Sequence, residues 1–228
     1  MLTAVLKTLD DMTAPGFRSV LWKSLGLTIV LFVAIFAGLE MALSMITLFP
    51  WPWLSTALAV FTGGIVIAAM FFLIAPVTGV FAGLFLDDIA ELVERRDYGG
   101  DAPGRALPFG LSVVTGVQFG LVLLAVNVAL LPSLLLGFGA FFMIVANGYL
   151  LGREYFSLIA LRHLAPREAK TVRQMNAGRV FAAGLVPAGL ALVPVVNVLT
   201  PMFATAYFVH IFKQINHDDV AARVAAPR

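Results

Sequence analysis

Lysine and arginine occur only in clusters along this chain, and that distribution constrains the fold more than any other feature. Three long blocks contain no basic residue, at residues 24–86, 106–152 and 180–212, and Glu40 is the one acidic residue inside them. Only 12% of the 228 residues are charged and 61% are apolar, whereas about 25% of a soluble domain is charged. So much apolar surface must face lipid, and a helix can lie in lipid because its backbone N–H and C=O groups hydrogen-bond one another. We therefore predict an all-α integral membrane protein.

Each basic-free block carries a turn signal near its middle, at residues 49–53, 131–133 and 194–197. Each block is therefore predicted to form a hairpin of two apolar helices. The basic clusters lie at the bases of the hairpins and none lies at a turn. The positive-inside rule then places both termini and both long connections in the cytoplasm.

Length separates the three hairpins, because crossing about 30 Å of hydrocarbon takes about 20 helical residues. Residues 24–97 are predicted to form a hairpin of two long transmembrane helices whose second helix extends into the cytoplasm. The arms of residues 180–212 are too short to span, so this hairpin is predicted to be re-entrant. Residues 106–152 form a further hairpin that either spans or re-enters, and length alone leaves both open.

The remaining segments are polar on one side or throughout. Residues 1–18 are predicted to form an amphipathic helix at the membrane interface, with Lys7, Asp10 and Asp11 on its polar face. Residues 153–179 predict cytoplasmic amphipathic helices that are broken at Pro166. Residues 216–228 predict a flexible polar tail.

Two patterns inside the blocks predict contacts between helices. Asn127, Asn147 and Gln118 are expected to hydrogen-bond between helices. Small residues four apart predict close packing, at Ala34 and Gly38, Gly79 and Gly83, and Gly116 and Gly120.

The chain shows no pattern typical of an enzyme. It has no cysteine, and the glycine-rich segment 99–105 lacks the Lys, the Ser or Thr and the preceding strand of a phosphate-binding loop. His217 is followed by two Asp residues, but a solvated tail is the favoured interpretation of that group. We predict no catalytic residue, no metal and no cofactor, and the net charge of +2 is too small to indicate nucleic-acid binding.

Glu40 permits two interpretations. An intramembrane carboxylate can titrate protons or line a pore. Alternatively, it is protonated or hydrogen-bonded in a contact with Ser44, Thr62 or another chain, or it reaches the outer interface.

The last hairpin contains a helix start inside the membrane. Thr200 is predicted to be the N-cap with Pro201 at the first helical position, and Asn197 lies just before them. Free backbone N–H groups there form the positive end of a helix dipole, which holds anions in transporters with broken helices. The alternative is that these polar residues only satisfy the turn backbone.

Three segments together resemble a known family. They are residues 15–18 (Pro-Gly-Phe-Arg), residues 148–156 leading into 160–162, and residues 194–201 of the last hairpin. In order and spacing they are similar to the CysZ-type sulfate permease family, which shares a domain with the etoposide-induced-protein family.

The resemblance implies a bacterial inner-membrane protein with two spanning helices and two partly inserted hairpins, assembled into symmetric oligomers. It favours partial insertion of the second hairpin. It implies sulfate uptake for cysteine synthesis, and it points to Gly16, Phe17 and Arg18 as an anion site before the first long helix.

The leading hypothesis is therefore a permease or channel for sulfate or a related oxyanion, with Gly16, Phe17, Arg18, Asn197 and Thr200 as substrate-binding residues. The path would be completed between copies of the chain in a homo-oligomer. The alternative is a non-transporting membrane scaffold or bilayer-shaping protein. A third possibility is a channel for another ion with Glu40 in its lumen.

Overall fold

The computed structural model describes residues 1–44, 85–135, 137–197 and 199–225, together with Thr56, Val60, Phe61, Gly63 and Gly64. The regular structure of these residues is helical and none lies in a strand. The helices are α1 (Leu2–Thr13), α2 (Pro15–Ser44), α3 (Leu86–Asp97), α4 (Phe109–Leu134), α5 (Gly139–Leu161), α6 (Pro166–Met175), α7 (Ala177–Leu190), α8 (Pro194–Asn197) and α9 (Thr200–Ala225).

In the part of the chain that the structure describes, two helices are long and apolar enough to cross a membrane, at Pro15–Gly38 within α2 and Val114–Ser133 within α4. The first lies in the first predicted hairpin. The second lies in residues 106–152, the hairpin whose depth the sequence left open. Most of the second arm of the first hairpin, residues 54–86, falls outside the described part of the chain, as do Gly79 and Gly83.

The turn of the second hairpin comes later than predicted. Helix α4 continues through Pro132 to Leu134, and the described turn residues that follow are Leu135 and Gly137. Gly137 adopts a φ of +78° there, a left-handed conformation that glycine adopts without steric cost. The proline falls in the last turn of α4, and Gly137 lies in the turn that follows.

Asn127 on α4 and Asn147 on α5 hydrogen-bond each other reciprocally, with Nδ2 to Oδ1 distances of 2.9 and 3.0 Å. This confirms the prediction that these two residues link helices. The paired amides join the two arms of the second hairpin at positions surrounded by apolar residues.

Glycines bring α5 and α7 into close contact, at positions other than those predicted. A Cβ atom at Gly184 on α7 would lie 2.0 Å from the carbonyl oxygen of Gly148 and 2.7 Å from the Cα of Gly152, both on α5. Added Cβ atoms at Gly38, Gly116 and Gly120 would meet no described atom within 4 Å. Within the described residues, these three predicted positions therefore face open space.

Helix α9 is the centre of the packed core. It contacts α1, α3, α5 and α7, and residues 202–213 are all buried. Phe156 and His163 both place their rings against Phe212 of α9. The helix continues to Ala225, so it extends into residues 216–228, which the sequence predicts as a tail.

Helix α1 is amphipathic, but the face that it buries in the protein is not the apolar face that the sequence predicted. Ala4, Thr8 and Asp11 are buried because α1 packs against α9. Leu2, Leu6 and Leu9 are exposed. Asp11, which the sequence assigned to a polar outer face, therefore faces the protein interior, where it pairs with Arg96 and hydrogen-bonds the buried His210.

Candidate functional site

The predicted anion site lies at the start of α2. Pro15 is the first residue of the helix, where its lack of an N–H costs nothing. Gly16 packs directly on α3, since a Cβ there would lie 2.1 Å from Cδ1 of Leu92. Phe17 is 1% exposed and belongs to the core. Gly16 and Phe17 thus hold the start of α2 against α3.

Arg18 follows these two residues and its side chain is exposed. The N–H groups in the first turn of a helix have no partner within the helix. In α2, the first backbone N–H that makes a helical hydrogen bond is that of Arg18, which donates to the carbonyl of Ala14 over 3.2 Å. The site therefore combines backbone N–H groups that lack a backbone partner among the described residues with one exposed guanidinium. This combination is suited to binding an anion.

The second predicted site lies at the start of α9. Asn197 ends the short helix α8, and Thr200 is the first residue of α9. The carbonyl of Leu199 accepts the N–H of Phe203 over 2.9 Å, so Leu199 occupies the N-cap position. The prediction that Thr200 is the N-cap is therefore wrong by one residue, because the helix begins at the threonine itself. The Thr200 hydroxyl is buried and makes no hydrogen bond among the described residues.

The two predicted sites lie on helices that are connected through α1 and α3. Helix α2 packs on α1 and α3, and α8 packs on α9, which itself packs on α1 and α3. Glu40 lies within α2, and its side chain is outside what the structure describes.

A buried charged cluster, which the sequence did not predict, joins α3 to the end of α5. Arg162 is 4% exposed and forms ion pairs with Asp87 and, at 3.4 Å, with Glu94. His163 Nε2 donates to Glu94 Oε1 at 2.9 Å, and the N–H of Gly104 donates to Glu94 Oε2 at 3.1 Å. The N–H of Arg105 donates to the carbonyl of Arg162 over 2.8 Å. The cluster therefore fixes the α3–α4 loop to both helices.

The pKa of Glu94 reflects this environment. Burial raises its pKa. The hydrogen bonds from His163 and Arg162 and the positive charge of Arg162 lower the pKa by more than burial raises it, so that the pKa is about 2. Glu94 is therefore ionised at neutral pH and balances Arg162.

A second cluster joins α1, the α3–α4 loop and α9. His210 is 0% exposed, and its Nε2 donates to Asp11 Oδ2 at 2.8 Å. The other ring nitrogen, Nδ1, lies 2.9 Å from the Tyr98 hydroxyl and hydrogen-bonds it. Lys213 pairs with Asp101 at 2.8 Å and lowers the pKa of that carboxyl.

Three possible metal ligands occur in this second cluster. Ligand atoms of Asp11, Asp97 and His210 lie within 4.8 Å of one another. Asp11 and His210 already satisfy each other, and Lys7 lies 3.4 Å from Asp97. The arrangement thus serves as a closed hydrogen-bond and ion-pair network that ties the two ends of the chain together.

Local sequence contained only a partial signal for either cluster. Asp87 and Glu94 are seven residues apart on one face of α3, and Arg162 and His163 are adjacent in sequence. The spacing of Asp87 and Glu94 identifies a charged face of α3. It does not show that this face pairs with Arg162, which lies 75 residues after Asp87 and 68 residues after Glu94.

Comparison with known proteins agrees with the resemblance seen in the sequence. No curated protein matches the chain. The family model described as sulfate transporter CysZ/Etoposide-induced protein 2.4 matches residues 4–201, and this description names a transporter and no enzyme. The match covers most of the chain, and together with the apolar helices it identifies a membrane protein that belongs to the sulfate transporter CysZ/Etoposide-induced protein 2.4 family.

Proposed function

We propose that this protein carries sulfate or a related oxyanion across the bacterial inner membrane and supplies sulfur assimilation. The family match over residues 4–201 is the observation that carries the proposal. The exposed Arg18 beside free first-turn N–H groups of α2 supports it, because that pairing of groups suits an oxyanion.

The proposed topology follows from charge and helix length. Both termini and the basic connections are cytoplasmic. Helix α4 has 26 residues and is roughly 39 Å long, enough to cross the hydrocarbon, whereas α7 has 14 residues and is roughly 21 Å long, which is too short. Helix α9 has 26 residues, but only residues 200–212 precede Lys213, and this apolar part is roughly 20 Å long. The hairpin of α7 and α9 is therefore proposed to be re-entrant, with the start of α9 at mid-membrane depth.

The proposed path begins at the cytoplasmic surface and continues to the last hairpin. Gly16, Phe17 and Arg18 attract the ion, and the start of α9 at Thr200, with Asn197 nearby, stabilises it within the membrane through backbone N–H groups. Glu40 is proposed to be protonated, hydrogen-bonded or off the path, since a charged carboxylate would repel the substrate.

We propose that the path is completed between copies of the chain. No residue of the span Val114–Ser133 is buried, so this apolar surface is available to lipid or to another copy. The exposed Leu2, Leu6 and Leu9 of α1 would lie in the headgroup region of the bilayer.

Arg18→Ala tests the surface site. The variant should require roughly tenfold more sulfate for half-maximal uptake into proteoliposomes, since a hydrogen bond to a charged group contributes about 1.5–3 kcal/mol. Arg167→Ala is the matched control, because Arg167 is also exposed but lies on α6, away from the proposed path. If Arg18→Ala and Arg167→Ala needed the same sulfate concentration for half-maximal uptake, a role for Arg18 in sulfate binding would be contradicted.

A further inference from the structure

Two hydroxyl groups of α9 are buried without a hydrogen-bond partner among the described residues. Thr200 is 5% exposed and Tyr207 is 0% exposed, and neither Thr200 Oγ1 nor Tyr207 OH bonds any described group. A buried polar group without a partner typically costs about 1–3 kcal/mol. Such groups are rare in folded proteins and require an explanation.

The two hydroxyls lie on one side of the helix. Residues seven apart share a helical face, and long helical side chains lean toward the N-terminus. The ring of Tyr207 stacks on that of Phe203, one turn nearer the start of α9, with centroids 5.7 Å apart and planes 19° apart. The Tyr207 hydroxyl therefore extends along the helix toward the level of Thr200.

A neighbouring threonine shows how α9 satisfies a buried hydroxyl internally. Thr205 is 1% exposed, and its Oγ1 donates to the carbonyl of Pro201 over 2.9 Å. Thr200 and Tyr207 make no such bond. Their free donors adjoin the first turn of α9, where backbone N–H groups also lack intrahelical partners.

We propose that the hydroxyls of Thr200 and Tyr207 donate hydrogen bonds to the oxyanion as it passes the start of α9, which makes Tyr207 a substrate-binding residue. This inference rests on the proposed function and assigns its intramembrane site. Residues 180–212 contain no Lys or Arg, and the donors proposed here, two hydroxyls and backbone N–H groups, are neutral. Neutral donors replace the ion's hydration while holding it weakly enough for release.

The test uses substitutions that remove only the hydroxyls. Thr200→Val and Tyr207→Phe should each raise the sulfate concentration for half-maximal proteoliposome uptake by roughly fivefold or more, as expected for loss of a hydrogen bond to a charged ligand. Thr205→Val, the matched control, should leave the concentration dependence unchanged because its hydroxyl is already paired within the helix. Sulfate uptake by Thr200→Val and Tyr207→Phe that matches wild type, or an equal loss in Thr205→Val, would overturn the inference.

Thermal unfolding in detergent provides a second readout. Without sulfate, Tyr207→Phe should unfold at the same temperature as wild type or higher, since it removes an unpartnered buried hydroxyl. Sulfate should raise the unfolding temperature of wild type and raise that of the Thr200→Val/Tyr207→Phe double variant much less. An equal sulfate-induced rise in both would overturn the inference. If the wild-type protein gave no sulfate flux, the proposed function would fail. If the wild-type protein transported sulfate and both variants transported it equally well, only the role of the two hydroxyls would fail.

Discussion

Arg162→Met is expected to lower the free energy of unfolding by about 3–5 kcal/mol, the typical result of removing one partner from a buried ion pair. Arg162 is buried and pairs with both Asp87 and Glu94, so the variant leaves Glu94 in the interior without its main cation. Thermal unfolding of purified protein in detergent at neutral pH measures the effect. Arg105→Met is the control, because Arg105 is exposed and contributes only its backbone N–H to the cluster. Equal unfolding temperatures for the two variants would contradict this account.

The pH dependence of the same experiment separates charge from packing. The pKa of Glu94 falls from 4.5 to about 2 on folding. A lowered pKa gives stability that is present above about pH 4.5 and is lost as the pH falls toward 2. Removing Arg162 raises the pKa of Glu94, so the difference in stability between wild type and Arg162→Met should narrow on acidification from pH 6 to pH 3. A constant difference would show that packing, rather than charge, explains the loss.

Gly184→Ala is expected to destabilise the protein by about 2–3 kcal/mol, because an added methyl group overpacks a close contact between helices. Its Cβ would lie 2.0 Å from the carbonyl oxygen of Gly148, and a backbone atom cannot rotate away as a side chain can. Helices α5 and α7 would have to separate. Thermal unfolding in detergent again measures the change.

Gly178→Ala is the matched control for Gly184→Ala. Gly178 lies on the same helix, and a Cβ there meets no described atom within 4 Å. Alanine favours helix over glycine, so this variant should equal or slightly exceed wild type in stability. If both variants lost stability to a similar extent, the close contact between α5 and α7 would not require a residue without a Cβ atom at position 184.

The sequence predicted features that depend on local pattern and failed where distant residues meet. Hydrophobic periodicity and charge spacing indicated a helical membrane protein and a helical cytoplasmic extension that ends at residue 97, where α3 ends, because both signals repeat within one element. The pairing of Asn127 with Asn147 also followed, since both lie in one hairpin. Asp11 was assigned to a polar outer face because nothing near it in sequence reveals that His210 packs over it.

The candidate site shows the same division. The helix start near Thr200 could be identified from proline and polar residues, which act locally. The start of α2 at Pro15 was not predicted, because residues 1–18 were assigned to one amphipathic helix that precedes the first long helix. Tyr207 could not be singled out from sequence, since a tyrosine in an apolar helix is usual and only the fold reveals that its hydroxyl lacks a partner. Glycine contacts were predicted at Gly116 and Gly120 but occur at Gly148, Gly152 and Gly184, because spacing does not specify which face meets a neighbour.

The central claim is that this protein transports sulfate or a related oxyanion, and uptake of radiolabelled sulfate by wild-type protein in proteoliposomes tests it most directly. The account predicts saturable uptake well above that of protein-free vesicles prepared from the same lipid. Uptake by wild-type proteoliposomes that equals the protein-free level, for sulfate and for other oxyanions alike, would contradict it.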